Sequence, residues 1–121
     1  MPATIVVVHE DPTFRTELHQ ALSDAGHDAT TFSNPSLALT ALRMAQKIEV
    51  LITSVQFGDQ PIGLSLARVA RSARPGVKVI FTALPRFQSF AEGFGEFMAM
   101  PVDVHDVVSA VGPTDIASAA D

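Results

Sequence analysis

The sequence predicts an α/β chain in which five strands alternate with helices, a doubly wound (βα)5 unit around a parallel sheet. Short apolar runs alternate with stretches of helical period, the pattern of a sheet covered by helices on both faces. The pairs Asp11-Pro12 and Asn34-Pro35 repeat one helix-start signal, a capping side chain followed by a proline that suits the first turn. A length of 121 residues suits one three-layer core and not two. Residues 1–121 are therefore expected to be a single domain, with its core over 3–111 and a loose tail over 112–121.

Thr4–Val8 is a continuous β-branched run, as in a central strand buried on both faces. Asp11 caps the next helix, Phe14, Leu18, Ala21, Leu22 and Ala25 mark its inner face, and Gly26 ends it. A short strand at Asp28–Phe32 follows. The second helix starts at Asn34-Pro35 and runs to about residue 46, with Ala38, Leu42 and Ala45 inward. Val50–Thr53 is the third strand, 55–62 a loop rich in turn formers, and 63–73 a third helix stopped by Pro75-Gly76. The fourth strand is expected at 77–82. Residues 85–95 have room for only a short helix, weakened by Gly93 and Gly95. A strand at 97–99 and a helix from the Asp103 cap to about Val111 complete the alternation.

A hydrophobic content of 47% with 17% charged residues is a globular composition. The absence of cysteine excludes a disulfide framework and thiolate metal sites, and it fits a reducing cytoplasm. The first apolar run is too short for a signal-peptide core, and no run approaches a membrane span, so a cytoplasmic protein with no membrane partner is expected. A net charge of -5 disfavours nucleic acid, whose binding rests on clustered Lys and Arg. After Arg86 there is no Lys or Arg, while Glu92, Glu96, Asp103, Asp106, Asp115 and Asp121 are all acidic.

In a flavodoxin-like sheet of order 2-1-3-4-5, ligands bind beyond the carboxyl ends of the strands, where strands 1 and 3 diverge. That rule selects His9, Glu10 and Asp11 after strand 1 and Ser54 after strand 3. Thr82 and Met100 complete the rim. The sequence has no G-x-G-x-x-G and no P-loop, which excludes dinucleotide and NTP binding by those motifs.

These positions resemble those of the response-regulator receiver family of two-component signalling. Residues 6–15 are similar to the receiver opening, with its acidic cluster, proline and following Arg. Residues 49–54 resemble the strand that ends in the phosphoacceptor, and Gly63-Leu64-Ser65-Leu66-Ala67 the next helix start. Ile80-Phe81-Thr82-Ala83 is similar to the strand that ends in a hydroxyl residue, and Met100-Pro101 to a Lys-Pro pair. The resemblance spans 3–111 in order.

Active receivers, as the resemblance implies, carry two acids where His9 and Glu10 stand, an aspartate at Ser54 and a lysine at Met100. The aspartate is a carboxylate nucleophile toward phosphorus, and the acids hold Mg²⁺ through oxygen. The lysine neutralises phosphate charge and the hydroxyl at Thr82 bonds the product. Ser54 has no ionised oxygen at neutral pH, and Met100 offers a thioether in place of an ammonium. The expected function is thus a signalling domain degenerate at the phosphorylation site, non-enzymatic, with no cofactor and only Glu10 as a weak metal candidate. Its expected partner is a sensor kinase or an output protein. The alternatives are a receiver phosphorylated unconventionally, and a small-ligand or enzyme domain that uses the strand-end crevice.

Ser54 with His9 as nucleophile and base is disfavoured, because no G-x-S-x-G elbow surrounds the serine. His9 is expected to be solvated or hydrogen-bonded, and His19, His27 and His105 to lie on the surface. Phe97 falls at the family's switch-aromatic position, where packing is its expected role. Arg68, Arg71 and Arg74 are expected on a solvated helix face. Phe87, Phe90 and Phe94 are spaced to share one side of a helix, and with Asp103 and Asp106 they mark a candidate partner surface. The stretch between Thr82 and Met100 is about one helical turn shorter than in active receivers. With no base after Arg86, a monomer or a dimer held by apolar contact is expected.

Overall fold

The computed structural model describes residues 4–44 and 48–112. The expected inward Ala45, the expected helix end near residue 46 and the tail over 113–121 lie outside the described residues. Five parallel strands form one sheet: β1 Thr4–Val8, β2 Asp28–Phe32, β3 Val50–Thr53, β4 Lys78–Ala83 and β5 Glu96–Ala99. Their order is β2-β1-β3-β4-β5, as expected. The helices are α1 Pro12–Asp24, α2 Pro35–Met44, α3 Ile62–Ala73, α4 Gln88–Ala91 and α5 Val104–Val111, with a 3₁₀ turn at Pro85–Phe87 before α4.

Alternation along the strands divides the core into two layers. Ile5, Val7, Val50, Ile52 and Ile80 face α1 and α5, where they meet Phe14, Leu18, Leu22, Val107 and Val111. Val6, Val8, Leu51, Val79 and Phe81 face the other way, against Ala38 and Leu42 of α2 and Leu66, Ala67 and Ala70 of α3. The three central strands are buried almost throughout, whereas β2 and β5 at the edges are partly exposed. A fully buried aliphatic side chain of this kind contributes roughly 1.5–3 kcal/mol over exposure.

The helix α1 is closed at both ends by its own sequence. The Asp11 carboxylate accepts from the backbone N–H groups of Thr13 and Phe14, at 3.0 and 3.3 Å. At the other end Gly26 takes φ 88, and its N–H donates to Ser23 O while that of His27 donates to Leu22 O. This is the Schellman arrangement. It corrects two expectations. Ala25 is the C-cap, beyond the last helical turn, and is exposed rather than inward. His27 is buried, not on the surface, because the residue after the left-handed glycine folds back onto the final turn. His19 and His105 are exposed as expected.

The segment after β4 also departs from expectation. Its α-helical part stops at Ala91, and Gly93 turns the chain at φ 81, so Phe94 lies past the helix. Phe87 and Phe90 pair at 6.2 Å, but Phe94 turns toward α3, where the Arg68 guanidinium sits 5.5 Å from its ring centre. The three rings do not share one helix face. Arg68 is thus exposed yet engaged, and Arg74 is the C-cap of α3, outside the helix. The acidic end of the chain receives a base from elsewhere: Lys78 of β4 approaches Glu96 of β5 at 3.5 Å and donates to the carbonyl of Ala110.

Candidate functional site

The parallel sheet delivers the ends of β1, β3, β4 and β5 to one edge, and the loops beyond them enclose a crevice of about 350 Å³. His9, Glu10, Ser54, Thr82 and Met100 all line it, so all five expected positions come together. Gln56, Gly58, Leu84, Arg86 and Phe87 also line it. Of these, Gln56, Gly58, Leu84 and Arg86 were not anticipated. Gly58 carried a signal, a turn-forming glycine in the loop after β3; Gln56 and Leu84 carried none.

Ser54 is held by its backbone. Its N–H donates to Val8 O at 3.1 Å, and its carbonyl accepts from the Thr53 hydroxyl at 3.0 Å. Gly63 opens α3 directly against this carbonyl, where a Cβ would collide with it. The following loop closes through a tight hairpin, in which Phe57 and Gln60 exchange backbone hydrogen bonds of 2.9 and 3.2 Å. Gly58 supplies the positive φ at the first central position of that turn. Its N–H then donates to Glu10 Oε1 at 2.8 Å, across the crevice.

Arg15 organises the loop after β1. Its guanidinium donates to the carbonyls of His9 and Glu10, at 2.7 and 3.5 Å. The His9 ring packs against Phe14 with centroids 4.7 Å apart, and Nδ1 accepts from the Asp11 N–H at 3.1 Å. Burial pulls the imidazole below its ordinary pKa, against the opposing fields of Asp11 and Glu10 and the nearby Thr82 carbonyl. Among the described residues Thr82 Oγ1 is buried without a hydrogen-bond partner, and His9 Nε2 is buried with no hydrogen bond of ordinary geometry, although the Thr82 carbonyl is near enough to act on the ring. Met100, partly exposed, closes the rim, and its peptide bond to Pro101 is cis.

The donor set does not fit Mg²⁺. That ion takes hard oxygen ligands in near-octahedral geometry. Here Glu10 has one oxygen bound to Gly58, Asp11 faces the start of α1, and Ser54 brings no carboxylate. Among the described residues no three His, Cys, Asp or Glu side chains gather as a metal site.

The other expected residues are distributed over the neighbouring surface. Phe97 lies in β5 opposite Phe81 of β4 and packs, partly buried, on the α2–α3 layer. Phe87 and Phe94 pack there as well, whereas Phe90 is 52% exposed. Asp103 caps α5 by accepting from the His105 N–H at 2.8 Å, and Asp106 stands exposed in its first turn.

Comparison with known proteins agrees with this architecture. The DNA-binding transcriptional regulator NtrC of Azospirillum brasilense is 31% identical over 90% of this chain, which spans 23% of that protein. The probable transcriptional regulatory protein TcrX of Mycobacterium tuberculosis is 27% identical over 88% of the chain, which spans 47% of it. Among solved structures, a response regulator receiver protein from Sinorhizobium medicae superposes with a TM-score of 0.80 at 22% identity, covering 91% of each chain. No protein-family model matches the chain. The fold is the receiver fold. The chain is similar in sequence, over about nine-tenths of its own length, to a part of these regulators, and it has the fold of receiver proteins. No helix of the described residues is long and apolar enough to cross a membrane.

Proposed function

We propose that this domain is a protein-interaction module of cytoplasmic two-component signalling whose state is not set by aspartyl phosphorylation. The observation that carries the reading is the crevice itself. It holds Ser54 and Met100 where phosphoryl transfer needs a carboxylate and an ammonium, and its one carboxylate, Glu10, is bound to Gly58. The substitutions are consistent with one another. A lysine left without its anion, or a carboxylate cluster left without its cation, would be costly to bury. A Ser–Met pair avoids both penalties.

The domain acts by contact, as a single unit without catalysis of its own. Its partner is a sensor kinase or an output protein; the relatives named as DNA-binding regulators make an output of that kind a candidate. The exposed Phe90, with Asp103 and Asp106 nearby in sequence on β5–α5, is the surface we assign to that contact, which suits a partner with an apolar centre and a basic rim. Incubation with acetyl phosphate and Mg²⁺, followed by intact mass measurement, tests the reading. The mass is expected to stay unchanged, and a stable adduct of one phosphoryl group at Ser54 would sink it.

A further inference from the structure

Of the four large apolar side chains that stand exposed among the described residues, Leu84 borders the crevice and Phe90 belongs to the surface assigned above. The other two, Leu37 at 61% and Met44 at 77%, both lie on α2. Their spacing of seven residues is close to two helical turns, so they share one stripe, with the partly exposed Ala41 beside them. The inner face of the same helix is apolar as well, with Ala38 and Leu42 buried against the sheet. Arg43 is the only charged residue among the ten of α2. A surface helix normally sets a polar face against its apolar stripe, and one that is apolar on both sides is normally covered on both.

The charge around the stripe says what kind of cover fits. α2 packs beside α3, and neither helix contains an Asp or a Glu. Arg43 is exposed, and α3 adds Arg68, exposed, and Arg71, partly exposed. The contact of Arg68 with the Phe94 ring leaves its charge in place. A second copy meeting this face by two-fold symmetry would set arginines against arginines, which opposes the contact. An acidic partner meets attraction where a second copy meets repulsion. We propose that the outer face of α2 docks an acidic amphipathic helix of another protein. Leu37, Ala41 and Met44 take the apolar residues of that helix, and Arg43, Arg68 and Arg71 meet its carboxylates. The site is separate from the contact proposed at Phe90 and stands without it.

A synthetic peptide of about 20 residues, with Leu at helical positions i, i+3, i+4 and i+7 and Glu at most others, tests the proposal when titrated into the ¹⁵N-labelled full chain. The same peptide with Lys in place of Glu is the control. The acidic peptide should shift amides over 36–44 saturably, and the basic one should bind about tenfold more weakly. Leu37→Ser combined with Met44→Ser should weaken the acidic peptide about tenfold, and Arg43→Glu should do the same. All three positions are exposed, and amide spectra establish that the variants remain folded. Equal binding of the two peptides, affinity indifferent to the Leu37 and Met44 substitutions, shifts centred on Phe90, or no saturable binding would each overturn the assignment. So would a dimer of the chain alone that sediments as such and is lost in Leu37→Ser, which would make a second copy the cover of this face.

Discussion

The helix α1 and the segment between β4 and β5 have the same task, to carry the chain from one strand to the next across a face of the sheet, and they accomplish it differently. The first runs for 13 residues, with Asp11 capping one end and the Gly26 turn closing the other. The second is a 3₁₀ turn followed by a four-residue helix, and neither has a side-chain cap bond. The buried face of α1 consists of Phe14, Leu18, Ala21 and Leu22, whereas Ala91 is the only buried residue of α4. Helical stability comes mainly from a buried apolar face, and secondarily from caps. One crossing is therefore specified at both levels and the other at neither, so α4 should open more readily than the rest of the fold.

The contrast has measurable consequences. The largest lies in the core of α1. Leu18→Ala removes a fully buried side chain and should cost about 2–5 kcal/mol in denaturant unfolding, whereas Phe90→Ala on α4 should change stability by less than about 0.5 kcal/mol. Equal losses at the two sites would mean that α4 is packed as firmly as α1. Next is the cap: Asp11→Ala frees two N–H groups at the start of α1 and should cost about 1 kcal/mol.

A smaller gain is expected from giving the weak crossing the strong one's signal. Leu84 precedes Pro85 in extended backbone, as Asp11 precedes Pro12, but offers no side-chain acceptor. Leu84→Asp should stabilise the domain by about 0.5 kcal/mol and slow amide exchange over 86–91. Unchanged exchange there would show that packing, not capping, limits α4.

The smallest effect is a pH trend confined to the α1 side, where His9 packs on Phe14. Burial holds the folded imidazole below its ordinary value of 6.5, so the unfolded chain takes up the proton first as pH falls. The contribution of His9 is therefore constant above about pH 6.5 and declines below it, toward the folded pKa. The quantity to measure is the difference between the wild-type and His9→Phe stability profiles. A difference independent of pH between 5 and 7 would refute the trend.

Much of this architecture was legible in the chain. The Asp11-Pro12 start, the Gly26 stop, the buried runs of β1 and β3 and the shortness of α4 all follow from signals that act within a few residues. The misreadings have a common origin. His27 was read from its polarity, but its burial follows from the hydrogen bonds that fold it back onto Leu22. Phe94 was placed by helical spacing, but Gly93 ends the helix first and a cation on α3 meets its ring. The last third of the sequence reads as purely anionic, yet Lys78 meets Glu96 because β4 lies beside β5.

The sequence by itself determined the order of the elements, the strand order expected of such an alternation, and the meeting of His9, Glu10, Ser54, Thr82 and Met100 at one edge of the sheet. Caps, prolines and hydrophobic period are local, and a parallel βα alternation leaves few ways to arrange its strands. Only the tertiary structure decided the state of each group in the crevice. The Glu10 carboxylate is tied to an amide 48 positions away. The His9 proton is directed to Nε2 by the Asp11 N–H, and the Thr82 hydroxyl is enclosed without a partner among the described residues. Hydrogen bonds act over about 3 Å, and which polar atoms come within that range is set by how remote segments pack.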